Sequence, residues 1–228
     1  MQGVSVLLSL WVVIRPLTSR RFACATPSII AEGSRTINFS SYARDLEPNL
    51  GLFKIAKVWQ VCRATAAAKT YFDSIKFGPH GLQMEFFDGA TGANNPIDQL
   101  WIEAEQAFGS SFQSRLQCLV SIGTGDRGVT TWGRNAKDAI SALQDLATET
   151  ETTFAAFERN HPGLVVSGKL YRFNVRQGLE NVGLEDVKSK DAIGHVTQAY
   201  MGTNGMRKTL LAFRATTNET LNACMRPR

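Results

Sequence analysis

Asp88, Gly89 and Ala90 close the apolar stretch LQMEFFDGATGANNP at residues 82–96, so a carboxylate stands where a strand-like run stops. A carboxylate there can take a proton, because ligands and reacting groups gather at the carboxyl ends of strands in open α/β sheets. Asp-Gly is also an ordinary turn dipeptide, since Asp bonds its own backbone and Gly bends easily. Met84, Phe86 and Phe87 have the β-favouring, apolar character of a buried strand, while Gly89 and Gly92 offer the backbone freedom of a tight turn. Asn95 then reads as an N-cap and Pro96 as the first helical residue. Behind them Ile97, Leu100, Trp101, Ala104 and Phe108 recur at three- and four-residue spacings, the mark of a helix with one apolar stripe. The expected order is strand, acidic turn, helix.

Other elements must position that turn. Leu116 to Ile122 is a second apolar run and ends in Gly123-Thr124-Gly125. Without G-x-x-x-x-G-K-[ST] this is no nucleotide loop, and its glycines are expected to turn sharply beside Asp88 at one sheet edge. Upstream, Arg21–Thr26 and Thr36–Tyr42 read as strands in a bent or hairpin-like connection, and residues 43–54 as a loop. Lys57–Ala68 reads as a helix whose alanines allow close packing. Arg63 within it either packs or holds a carboxylate by a charge-assisted pair. Downstream come a helix over Asp138–Asn160, a strand over Lys169–Val175, short helices over Glu185–Ala192 and His195–Tyr200, and a last helix over Lys208–Met225.

Four ordered motifs carry a resemblance. They are WQVCRATAAA at 59–68 followed by Tyr71-Phe72, Asp88-Gly89-Ala90, Asn94-Asn95-Pro96, and Ser121-Ile122-Gly123-Thr124-Gly125. Together, over residues 21–200, they resemble the C-terminal half of patatin-like phospholipases, and look closest to the fungal members. The resemblance implies a Ser-Asp dyad that hydrolyses lipid acyl esters, with Asp88 as proton acceptor for the serine, Gly89 and Ala90 completing the motif, and neither cofactor nor metal. A serine hydroxyl is a poor nucleophile until a positioned base takes its proton, and a dyad gives that task to the carboxylate. The family's G-x-S-x-G elbow and glycine-rich oxyanion loop do not occur in these 228 residues. A partial match, Gly3-Val4-Ser5-Val6-Leu7, has one glycine of the two, so no nucleophile is assigned. Two expectations follow: the C-terminal part of a hydrolase whose serine is encoded upstream, or a truncated, inactive patatin-like protein that binds lipid or partners.

Composition bounds both. With 228 residues, 43% hydrophobic and 20% charged, the chain is long and apolar enough for one substantial core. The expected fold is α/β, a three-layer α/β/α sandwich around a mostly parallel sheet, incomplete on its N-terminal side. Residues 1–20 form an atypical apolar segment, 21–200 the domain, and 201–228 a helical tail. The run GVSVLLSLWVVI at 3–14 is too short to span a bilayer and reads as a signal-like segment or a strand. Cys24, Cys62, Cys118 and Cys224 lack paired spacing, which suits reduced, mostly core thiols in a cytoplasmic setting. His80, His161 and His195 sit in no nucleophile-and-base pattern and read as structural or surface groups. The net charge of +5 is spread along the chain, which argues against nucleic acid and is compatible with peripheral contact to anionic lipid.

Overall fold

The structure is a computed structural model and describes residues 11–14, 20–28, 36–42, 50–68, 71–125, 150–180, 182 and 186–224. It is a mixed α/β protein with two sheets. Strands β2 (Phe22–Pro27), β3 (Ile37–Ser40), β4 (Ile75–Phe77) and β5 (Met84–Asp88) form one sheet in the order β3-β2-β5-β4. All its pairings are antiparallel. Ala25 pairs with both Ile37 and Asp88, and Phe86 pairs with Pro27 and Ile75. These residues therefore share one face, because directly paired side chains point the same way.

Helices α1 (Leu50–Ile55) and α2 (Val58–Thr65) cover that face. Leu52 and Ala64 are buried against Ala25, Phe39, Phe77 and Phe86, with Phe53 and Val61 at the margin. Ala64 has no exposed surface, the close approach its small side chain allows. The α2 start is fixed by Gln60, whose Oε1 accepts the Lys57 N–H at 2.9 Å. The α1 segment departs from the loop expected at 43–54, since burying Leu52 and Phe53 together favours a helical turn.

The second sheet holds β1 (Trp11–Ile14), β6 (Leu116–Ile122) and β7 (Leu170–Phe173) in the order β1-β6-β7. Of the choices for the N-terminal run, the strand is what residues 11–14 adopt, antiparallel to β6. β6 and β7 run parallel, joined by a long connection that carries a helix over residues 150–160 (α6) and α7 (Pro162–Val166). Helix α4 (Ile97–Phe108) lies between the two sheets, after the short α3 (Ala90–Ala93) and ahead of α5 (Phe112–Arg115). Its expected stripe is buried: Ile97, Trp101 and Ala104 pack with Phe112, Leu119 and Phe157. Its opposite side is buried too, because Gln99 and Glu103 accept hydrogen bonds at 2.9 and 3.0 Å from Asn38 on β3. Helices α8 (Lys190–Gly202) and α9 (Asn204–Cys224) are the last of the described elements. Phe213 of α9 packs edge-on against Tyr171 and Phe173.

Several expectations need correction. The sheet is not mostly parallel: among the described residues only β6 and β7 pair in parallel, because the short β2–β3 and β4–β5 connections can only reverse the chain. The two short polar helices expected at 185–192 and 195–200 are one continuous helix, α8, after a 3₁₀ turn at Val187–Ser189. The helix expected over Asp138–Asn160 is seen from residue 150, and its earlier part lies outside the described residues. Among the described residues no helix is long and apolar enough to cross a membrane.

Candidate active site

Asp88 is the last residue of β5, as its sequence position suggests. Its N–H donates to the Ala67 carbonyl at 3.0 Å, just past the end of α2, and its Oδ1 accepts the Ala90 N–H at 2.7 Å. This is the local turn that an Asp at a strand end forms. Burial pushes the carboxyl above its ordinary value of 3.8, and the Ala90 N–H opposes that shift by favouring the charged form. Among the described residues no donor, serine hydroxyls included, bonds Oδ2, which leaves that oxygen open to a proton.

Gly89 is needed for a reason the sequence does not display. Its backbone is ordinary right-handed helical, φ −60° and ψ −26°, so the expected conformational freedom is not what the position uses. The Cys24 carbonyl passes directly beneath it. A β-carbon would stand 2.8 Å from that carbonyl carbon, nearer still to its oxygen, and 3.2 Å from the Cys24 Cβ. Ala90 opens α3 and supplies the N–H that holds Asp88.

The Gly123 turn is not at the same sheet edge as Asp88, since β5 and β6 belong to different sheets. It frames a polar network instead. Arg172 on β7 donates from Nη2 and Nε to Glu151 Oε1 at 2.7 and 3.2 Å, and from Nη1 to the Ser121 hydroxyl at 2.8 Å. Asn174 Nδ2 donates to the same Glu151 oxygen at 2.9 Å, and its Oδ1 accepts the Gly125 N–H at 2.8 Å. Ser121 donates to Asn95 Oδ1 at 3.3 Å, and Asn95 Nδ2 donates to the Thr150 carbonyl at 3.1 Å. Asn95 is therefore not an N-cap: helix α4 begins at Ile97 with no side-chain cap, and the amide serves the tertiary network. A β-carbon on Gly123 would come within 2.5 Å of Asn174 Cγ, so this glycine too is a matter of space.

Sequence reasoning missed this network. Its available signal was the alternation of residues 169–175, which places Arg172 and Asn174 opposite the Tyr171 and Phe173 side that meets α9. The network joins β6, β7 and the helix over residues 150–160, and reads as an anchor for the Ser121–Gly125 segment.

Arg63 holds no carboxylate: Nη2 donates to the Asp73 carbonyl at 2.5 Å, and the guanidinium lies 5.4 Å from the centre of the Phe72 ring. The His161 ring packs 4.3 Å from Trp101 and 4.2 Å from Phe157. Burial lowers its pKa, against the opposing pull of Asp98 and Glu105. Of the three cysteines whose side chains are described, Cys24 and Cys118 are buried and Cys62 is exposed. Ser5 lies outside the described residues. Among the described residues no three or more His, Cys, Asp or Glu side chains are grouped to hold a metal ion.

No family model matches the chain, and no curated protein matches it.

Proposed function

We propose that the chain is the C-terminal part of a patatin-like lipid acyl hydrolase, in which Asp88 takes the proton of a serine that these 228 residues do not present in a G-x-S-x-G elbow. The observation that carries this is the state of Asp88: a strand-end carboxylate with one oxygen held by Ala90, the other open, and a basicity raised by burial. A proton acceptor gains from such a shift, since the best base has a pKa near the working pH. In this reading the β3-β2-β5-β4 sheet is the middle of a three-layer α/β/α arrangement, with α1–α2 on one face and α4 on the other. The substrate is a lipid or other acyl ester met at a membrane surface from the cytoplasmic side.

A second reading rests on the missing elbow: the chain keeps the scaffold and binds lipid or partners without turnover. Hydrolysis of a short-chain nitrophenyl ester and of a phospholipid, by the purified chain and by Asp88→Asn, separates the two. Turnover that falls about 10²- to 10⁴-fold in the variant supports Asp88 as base. Equal turnover in both removes Asp88 from the chemistry. No turnover in either shows that this chain by itself is not a lipase, and the intact mass of the endogenous protein then separates the readings: a mass well above 25.0 kDa supports a serine-bearing half upstream, and one at 25.0 kDa leaves the binding module.

A further inference from the structure

We propose that the outer side of α1–α2 is a docking surface for an anionic lipid membrane. The inner side of this helix pair is accounted for, since Leu52, Phe53, Val61 and Ala64 pack on the sheet. The outer side is apolar as well, and core packing gives no reason for that. Ile55 is 47% exposed, Val58 81% and Trp59 60%, all at the corner between the two helices. One turn further along α2 stand Cys62, also exposed, and Arg63, against which a 52%-exposed Phe72 is packed.

Charge selects the occupant. Lys54 and Lys57 alternate with the exposed apolar side chains, and the helix pair itself, residues 50–65, carries three cations, Lys54, Lys57 and Arg63, and no Asp or Glu. Such a surface complements anionic headgroups. Lysine stems lie along apolar surface while their ammonium groups reach the phosphates, and tryptophan favours the boundary between water and acyl chains. Nucleic acid fits less well, because Ile55 and Val58 offer no π face for a base. A second copy fits less well too, because a two-fold contact through this face would bring the lysines of both copies together.

The surface also has a direction. From Trp59 the helix leads to Ala67, whose carbonyl accepts the Asp88 N–H. At 1.5 Å per residue α2 spans about 9 Å from Trp59 to its end at Thr65, so a membrane seated on the corner lies less than two helical turns from the segment that holds Asp88. The inference deepens the lipid reading of Asp88. Vesicle binding is measured without ester turnover, so either proposal can fail alone.

The test is co-sedimentation of the purified chain with vesicles of phosphatidylcholine alone and of phosphatidylcholine with phosphatidylserine, at low and high salt. The chain is expected to bind the serine-containing vesicles and to lose that binding in high salt. The paired variant Val58→Ser/Trp59→Ser is expected to bind about tenfold more weakly, as is Lys54→Gln/Lys57→Gln. Val166→Ser alters a side chain 89% exposed on α7 and is expected to bind as the unaltered chain does. Each variant is checked by thermal melting, which substitutions at exposed positions leave in place. Equal binding to both vesicle types, or binding unchanged by both paired variants, overturns the proposal. So does a concentration-dependent dimer, or binding of a single-stranded oligonucleotide in place of vesicles, that the same variants abolish.

Discussion

Gly89 and Cys24 meet backbone to backbone, with room for a hydrogen on the glycine and for nothing larger. The neighbouring atoms are main-chain carbonyl atoms of β2, which cannot rotate away as a side chain would. Gly89→Ala is therefore expected to cost about 1–3 kcal/mol, the usual range for overpacking. Gly163→Ala is the control, because nothing lies within 4 Å of a β-carbon there. Alanine in that helix is expected to be neutral or stabilising by up to about 1 kcal/mol. Urea unfolding of the two variants checks the contrast, and equal effects would show that the Cys24 carbonyl yields.

Asp88 has a stability signature separate from any chemistry. Burial raises its pKa, so the fold favours the protonated form and the ionised carboxylate is a cost at neutral pH. Asp88→Asn keeps an acceptor for the Ala90 N–H and removes the charge. The variant is expected to be more stable than the unaltered chain at about pH 7, with the difference shrinking as pH falls through the carboxyl's folded-state value. Unfolding curves from about pH 7 to about pH 4 measure this. A variant less stable at neutral pH would mean that the fold depends on the ionised group.

Arg172 ties three chain segments together, and its side chain is 7% exposed while that of Glu151 is 28% exposed. Arg172→Ala leaves Glu151 and Ser121 without their main donor and is expected to cost about 3 kcal/mol. Arg172→Lys is expected to recover less than half of that, because one ammonium cannot span Ser121 and Glu151 as the guanidinium fork does. A double-mutant cycle with Glu151→Gln is expected to be non-additive, and simple additivity would remove the coupling.

The thiols differ in reach. Burial pushes Cys118 up to about 11, and Cys24 is buried with its Sγ donating to Asn38 at 3.1 Å, whereas Cys62 faces solvent. Of these three, alkylation of the folded chain is expected to mark Cys62 first, and to mark Cys24 and Cys118 after unfolding. Peptide mapping reads the order. Labelling of Cys118 at the rate of Cys62 would mean that the β6 strand opens readily in the native state.

Much of the local structure was legible in the sequence, and the reason is physical. The β5 strand ends at Asp88 and β6 at Ile122 because apolar runs stopped by turn residues are local signals. The stripe on α4 was legible because helical spacing depends on the helix alone. Strand partners were not: a short apolar run says nothing of the direction of its neighbour, so one mostly parallel sheet was expected where two sheets exist. Glu103 was illegible for the same reason. It lies on the side of α4 opposite Trp101, where an acidic residue signals solvent. Only the placement of β3 converts that side into a buried one, with Asn38 and the Tyr42 hydroxyl donating to the carboxylate. The Asp88 turn was legible because its local geometry is set by three consecutive residues.

Helix α4 has an apolar side in one core and a polar side sealed against the other sheet. The two sheets share this one wall. Loosening this helix exposes Trp101 and strands Glu103 in a single event, so each sheet's survival depends on the other's. The molecule should therefore melt as one cooperative unit, and limited proteolysis should not release either sheet as a persistent fragment.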